Sequence, residues 1–297
     1  MRVLVLGGTT EARLLCRRLE APGSGFAATL SLAGVTRAPV LPRMEVRIGG
    51  FGGVEGLAHW LSHNRVAAVI DATHPFAARI SANAVAACAR AGVALARVER
   101  PAWAPSPGDR WTMVPDMAAA ARAIGPAPRR ILLTIGRKDL LAFRDVAACG
   151  HTWLVRSVDA PDPALLPMGA RTIQARGPFD VAAEDALLRR EGIDLIVTKN
   201  SGGAATVAKL EAARALGIAV IMVERTAVPP ATVVGDVGHA MAWLRSRPSF
   251  TRDRPCATYR AMAAPAGAGS GACVRSRSGP ACSCPPVRDR HGRGHAG

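Results

Sequence analysis

Short apolar runs that break off into glycine-marked polar turns constrain this chain more than any other feature. Arg2-Val-Leu-Val-Leu6 runs straight into Gly7-Gly-Thr-Thr-Glu11, after which Ala12, Leu14, Leu15 and Leu19 recur at helical spacing. The unit is strand, turn, helix. Glycine in such a turn lets backbone N–H groups and the start of a helix approach a phosphate with no Cβ in the way. The usual Gly-x-Gly-x-x-Gly dinucleotide fingerprint is absent, however, and Thr9 or Thr10 serves equally well as a plain helix cap.

The pattern recurs along the first half. Thr29-Leu-Ser-Leu-Ala33 leads to Gly34, with Thr36 and Arg37 just beyond, and Val46-Arg-Ile48 leads to Gly49-Gly-Phe-Gly-Gly53. Several such turns in one half point to one crevice. The turn after the second strand of a nucleotide-binding α/β domain lies near the ribose, and the basic Arg37 there, with no acid nearby, favours NADP over NAD. Val66-Ala-Ala-Val-Ile70 ends in Asp71-Ala-Thr-His-Pro-Phe76, which sets a carboxylate, a hydroxyl and an imidazole within six residues. A buried strand delivers such residues to the carboxyl edge of a parallel sheet, where open α/β folds bind ligands, and Pro75 ends the pairing. The structural alternative is a strand-to-helix turn with Asp71 or Thr73 capping a helix that begins near Ala77.

In the second half, Arg130-Ile-Leu-Leu-Thr-Ile135 precedes Gly136-Arg-Lys-Asp139, and Ile193-Asp-Leu-Ile-Val197 precedes Thr198-Lys-Asn-Ser-Gly-Gly203. Val207, Leu210, Ala213 and Leu216 mark a helix that Gly217 ends, and a further strand covers 218–223. The expected architecture is α/β, with two Rossmann-like lobes whose parallel sheets face each other across a cleft. Residues 1–108 form the nucleotide-binding lobe, 109–247 the second lobe, and 248–297 a disordered tail rich in Ala, Gly, Pro, Ser and Cys.

Gly7–Glu11, Ser31–Gly34, Gly49–Gly53, Asp71–Phe76, Arg100-Pro-Ala-Trp103 and Thr198–Gly203, taken in this order, resemble the precorrin-6A reductase family of cobalamin biosynthesis, over Met1 to about Arg245. The resemblance implies NADPH-dependent reduction of one double bond of the precorrin-6A macrocycle to give precorrin-6B. It implies cofactor contacts from Gly7, Gly8, Thr9, Thr10, Glu11, Ser31, Gly34, Thr36, Arg37, Gly50, Phe51, Gly52, Asp71 and Thr73. Substrate contacts are implied for His74, Phe76, Arg100, Arg137, Lys138, Lys199, Asn200, Ser201 and Gly202. Val35 stands where many family members carry Arg, which leaves the 2′-phosphate role of Arg37 open.

A nicotinamide supplies the hydride in such chemistry, so the protein must align the reacting carbons, exclude water and deliver a proton. His74 and Lys199 are the catalytic candidates, with Lys138 a further proton source and water another. The competing roles are a structural hydrogen bond for His74 and anion binding for Lys199. Arg100, Arg137, Lys138, Arg176 and Lys199 suit a substrate bearing several carboxylates. Trp103 suits an apolar wall for a macrocycle, or packing within an interlobe linker.

The net charge of +16 is unevenly spread: residues 248–297 carry eight Arg against two Asp, or +6 in 50 residues, against +10 for the 247 before them. That asymmetry argues against a nucleic-acid role for the body. The tail cysteines and histidines (Cys256, Cys273, Cys282, Cys284, His291, His295) form no Cys-x-x-Cys pair, so no metal is expected. Cys16, Cys88 and Cys149 are expected as reduced core thiols. No apolar run approaches the ~20 residues of a membrane span, and Met1 leads directly into strand and turn without a signal peptide, so the expectations are no membrane and the cytoplasm. No motif encodes an oligomer, and a monomer is the simpler expectation. A short-chain dehydrogenase needs Tyr with Lys four positions on, but the single tyrosine, Tyr259, is followed by Arg-Ala-Met-Ala; a P-loop Gly-Lys-Ser/Thr is also absent. A non-catalytic tetrapyrrole carrier or sensor stays open as the competing function.

Overall fold

A computed structural model describes residues 1–34, 42–146 and 150–247. The first lobe alternates strand and helix through β1 (Arg2–Leu6), α1 (Thr10–Leu19), β2 (Ala27–Leu32), β3 (Glu45–Ile48), α2 (Gly53–His63), β4 (Ala68–Asp71), α3 (Ala78–Ala91) and β5 (Ala94–Val98). The second continues with β6 (Arg110–Val114), α4 (Met117–Ala123), β7 (Arg130–Thr134), α5 (Leu141–Arg144), β8 (Thr152–Ser157), β9 (Arg171–Gln174), α6 (Val181–Arg190), β10 (Leu195–Lys199), α7 (Ala208–Leu216) and β11 (Ala219–Val223). Last come β12 (Thr232–Val234) and α8 (Val237–Arg245).

The strands form two parallel six-stranded sheets, ordered β12-β5-β4-β1-β2-β3 and β6-β11-β10-β7-β8-β9. Both central strands are covered on both faces, which is why they read as continuous apolar runs. Along β1, Val3 and Val5 enter the cluster with Leu15, Leu19 and Met241, while Leu4 and Leu6 enter the opposite one with Leu57, Leu61 and Ala84. Ile131 and Leu133 of β7 likewise part from Leu132 onto opposite faces of the second sheet. The side-chain period of two thus gives each sheet two cores.

The lobe assignment from sequence needs one correction. Residues 232–245, expected in the second lobe, belong to the first: β12 pairs with β5 (Thr232↔Ala96, Val234↔Val98), and α8 buries Val237, Ala240, Met241 and Leu244 beside α1. In the second sheet the equivalent edge is filled by β6, paired with β11 (Arg110↔Ala219, Val114↔Val223). The chain therefore crosses between lobes twice, through residues 99–109 and 224–231. A three-residue strand has no core of its own, so its place is set by the open edge of β5 and by the apolar face of α8.

Cys16 and Cys88 are buried in the first lobe, which pushes both thiols up to about 12. Cys149, Thr36, Arg37 and the whole of the tail lie outside the described residues, as do the expectations attached to them. No helix among the described residues is long and apolar enough to cross a membrane.

Candidate active site

In each sheet the strand order reverses between two central strands, and the crevice above their carboxyl ends is where open α/β sheets bind ligands. In the first sheet this point lies between β1 and β4, in register at Leu6↔Asp71; in the second it lies between β7 and β10, at Thr198↔Thr134. A larger cavity of about 880 Å³ opens at the opposite, amino-terminal edge of the first sheet, lined by Met1, Arg2, Ala27, Glu45 and Asn64. It is remote from every glycine turn named above, so we place the site at the carboxyl edges.

After β1, Gly7 packs so closely that a Cβ there would sit 2.5 Å from Leu30, while Gly8, at φ +120°, faces open space. Thr9, not Thr10, is the cap: its hydroxyl accepts from Ala12 N–H at 3.1 Å and donates to the Ala72 carbonyl at 2.8 Å, joining the β1 and β4 turns. Gly7 N–H donates to the carbonyl of Ser31 at 2.9 Å, and Ser31 is buried at the end of β2. Gly34 and Gly52 both take positive φ, the latter at the start of α2. Between them Arg47, unremarked in the sequence, donates to the Gly49 and Gly50 carbonyls at 2.7 and 2.6 Å and lies 3.8 Å over the Phe51 ring.

Asp71 and Thr73 do not cap α3, whose cap position is Ala77 with no side-chain bond. Asp71, 1% exposed, accepts from Thr73 N–H at 3.2 Å, from Thr73 Oγ1 at 2.7 Å and from Arg97 Nε at 3.2 Å. A buried charge pair with an added hydroxyl holds the turn that presents His74. Nδ1 of His74 accepts from Phe76 N–H at 3.2 Å, so the neutral ring carries its proton on Nε2. The residue has an open edge, yet desolvation by the surrounding protein, then Lys199, Arg100 and Arg225 in turn, push its pKa down to about 4. Three cations acting in one sense support that direction independently of burial. A cavity of about 50 Å³ lies against it, lined by Asp71, Thr73, His74, Arg97, Glu99 and Arg225.

The turns of the two lobes meet. Phe76 packs on the core of the second lobe, and Lys199 at the end of β10 sits 5.0 Å over its ring while pairing with Asp139. Arg100, on the first crossover, directs Nη1 to both carboxylate oxygens of Glu11 at 3.0 and 2.9 Å. That pairing ties the crossover to the first turn of α1. The Asn200 amide accepts from Trp103 N–H at 2.8 Å and donates to the Trp103 carbonyl at 2.9 Å, which anchors the crossover to the β10 turn. Ser201 is nearly buried, and Gly202, at φ +66°, would place a Cβ 2.2 Å from the Pro101 carbonyl oxygen. Arg137 lies 3.5 Å from Asp159, and Lys138 and Arg176 are exposed. The structure brings together the Gly7–Glu11, Asp71–Phe76, Arg100 and Lys199–Gly202 residues, and places Arg137 and Lys138 in the turn after β7.

Behind the β10 turn lies a charged cluster that no sequence motif announced. Arg156 and Glu184 form a buried ion pair, and Lys209, 3% exposed, donates to the Thr206 carbonyl at 2.8 Å with its ammonium 5.0 Å from the Trp103 ring. Burial, reinforced by Arg156 and opposed by Glu184, pushes Lys209 down to about 7.

Residues 2–245 match the family model described as precorrin-6x reductase CbiJ/CobK. The chain is 51% identical over 243 residues to the precorrin-6A reductase of Rhodobacter capsulatus, covering 82% of this chain and 95% of that protein. It is 44% identical over 250 residues to the precorrin-6A reductase of Mycobacterium tuberculosis, covering 84% and 99%. A solved structure titled CobK precorrin-6A reductase superposes with a TM-score of 0.77 at 51% identity, covering 83% of this chain and 97% of that one. With the doubled parallel sheets and the converging turns, these likenesses place the chain in the CbiJ/CobK family of precorrin-6x reductases.

Proposed function

We propose that the chain reduces one carbon–carbon double bond of precorrin-6A in cobalamin biosynthesis, with NADPH as hydride donor and the cobalt-free macrocycle as acceptor. The observation that carries the reading is the meeting of two strand-reversal points, one with a phosphate-type turn and the other with a lysine, across a junction held by Arg100 and Glu11. The relatives favour the cobalt-free substrate. Those named precorrin-6A reductase are 44 to 51% identical, whereas those named cobalt-precorrin-6A reductase are 28 to 34% identical.

The first turn fits a dinucleotide phosphate. Gly8 leaves open the space a side chain would fill, and the first N–H groups of α1 have no partner within the helix. Arg100 offsets the Glu11 carboxylate, which would otherwise repel a phosphate at that point. When bound, the reduced nicotinamide supplies the hydride. His74 and Lys199 face the same junction from opposite lobes, and the Lys199 ammonium attracts a substrate carboxylate there.

His74 acts as the proton donor once substrate is in place. Without ligand its imidazole is neutral at pH 7, since its pKa lies at about 4. Carboxylates of the tetrapyrrole offset the Lys199 and Arg100 charges that depress it, so substrate binding raises its proton affinity where a proton is needed. Phe76 adds apolar surface at the junction beside Lys199, while the Trp103 ring packs behind the β10 turn near Lys209.

The test is anaerobic loss of the reduced-nicotinamide absorbance with precorrin-6A, comparing the native chain with Gly8→Asp, which sets a strained carboxylate in the phosphate turn. Turnover by the native chain and its loss in a folded variant are expected. Tetrapyrrole binding without any nucleotide binding overturns the reading in favour of a carrier.

A further inference from the structure

We infer that Arg225 is a positioning residue that couples the coenzyme side of the site to the tetrapyrrole side. The inference rests on the reading of two ligands given above. Arg225 lies on the second crossover, just beyond β11, with its side chain 16% exposed. Its Nε donates to the Asn200 carbonyl at 2.9 Å, its Nη2 to the Ser201 carbonyl at 3.1 Å, and its Nη1 to the Arg100 carbonyl at 2.8 Å. Glu99 stands 3.6 Å away as its counter-charge.

One planar guanidinium thus holds three carbonyls from both halves of the site. Asn200 and Ser201 open the turn after β10, next to Lys199, while Arg100 reaches back to Glu11 at the first turn of α1. Gly202 makes the close approach possible, because a Cβ there would lie 2.5 Å from Nη2 of Arg225 as well as against Pro101. The fork matters more than the charge. A lysine ammonium is a single point and cannot reach three carbonyls spread over two segments in one plane.

Each lobe has its own two cores, and Arg225 belongs to none of them. Its removal leaves these cores intact, but among the described residues the Asn200–Ser201 backbone is then held to the first crossover only at Trp103, through the Asn200 amide and the Gly203 carbonyl. What settles the Glu11–Arg100 end is then no longer passed directly from the Arg100 carbonyl to the Asn200 and Ser201 carbonyls. In energetic terms, the two ligands are linked through this residue, and each must raise the affinity of the other by the same factor.

The experiment measures the dissociation constant of precorrin-6A by fluorescence or absorbance titration, with and without saturating NADP⁺, which binds without turnover. The native chain is expected to bind the tetrapyrrole roughly 5- to 150-fold more tightly with NADP⁺ present, the usual range of such coupling. In Arg225→Gln and in the charge-retaining Arg225→Lys the factor is expected to fall to within about twofold of unity, with NADP⁺ affinity in the absence of tetrapyrrole changed by less than about threefold. A merely structural loss lowers both affinities and leaves their ratio intact. Full coupling in either folded variant overturns the inference, and so does its absence from the native chain. Failure of the native chain to bind NADP⁺ or precorrin-6A at all instead overturns the two-ligand reading on which it stands.

Discussion

Replacing Lys209 by methionine should stabilise this protein at mildly acid pH and lose that advantage in alkali. Lys209 is buried with Arg156 and Glu184, so the cluster holds two cations and one carboxylate. The fall from an ordinary 10.5 to about 7 corresponds, at about 1.4 kcal/mol per pH unit, to a cost of about 5 kcal/mol for keeping this lysine in the folded state at low pH. Methionine removes that cost along with a hydrogen bond of about 1 kcal/mol and a ring contact of similar size. The net expectation is a gain of about 3 kcal/mol at pH 6. The sign of the pH dependence follows from linkage: the folded pKa lies below the unfolded one, so between about 7 and 10.5 the unfolded chain binds more protons and native stability rises with pH. From pH 6 to pH 9 this contributes about 3 kcal/mol to the native protein and nothing to the variant. The gap should therefore close to near zero at pH 9. Denaturant unfolding of both proteins at the two pH values measures it, and titrations common to both cancel in the difference. A gap that does not change with pH refutes the argument, because it would mean that Lys209 keeps an ordinary pKa.

Other perturbations probe the site itself. His74→Asn should lower kcat by roughly 10²- to 10⁴-fold, as for loss of a general acid. In the native enzyme the kcat profile should report a histidine pKa well above the free-enzyme value of about 4 that governs kcat/KM, and coincident profiles would remove the substrate-raised acid. Asp71→Asn leaves the Arg97 guanidinium buried without its counter-charge, and a loss of about 3–5 kcal/mol is expected in denaturant unfolding; under about 1 kcal/mol would show the pair to be dispensable. Gly202→Ala forces a non-glycine residue to φ +66° against the Pro101 carbonyl, so its unfolding free energy should drop by about 1–3 kcal/mol, with tetrapyrrole affinity falling further than NADP⁺ affinity. Equal affinities for both ligands in native and variant protein would show that the turn does not shape the substrate side.

Much of the candidate site was legible in the chain because its signals are local. A glycine that must take a positive φ and a hydroxyl that caps its own helix act within a few residues, so the turns after β1 and β4 could be named before any fold was known, although β4 ends at Asp71, before Pro75. Roles were harder to read than places. Thr9 lies where expected, but its hydroxyl is committed to Ala12 and Ala72; Asn200 lies where expected, but it holds Trp103. A polar side chain next to a turn looks the same in sequence whether it faces a ligand or, as Asn200 does, a carbonyl 97 residues away.

The sequence by itself determined two series of buried parallel strands, the polar turns at their carboxyl ends and the family resemblance those turns carry. These follow from side-chain periodicity and glycine stereochemistry, which the chain writes out residue by residue. Only the tertiary structure decided that β12 and α8 return to the first lobe, that Arg100 answers Glu11, and that Arg225 and Lys209 stand behind the β10 turn. The physical reason is that edge pairing, counter-charge and burial belong to segments brought together from distant parts of the chain. Nothing in Thr232-Val-Val234 distinguishes an edge strand of one sheet from that of the other until β5 offers its free backbone groups.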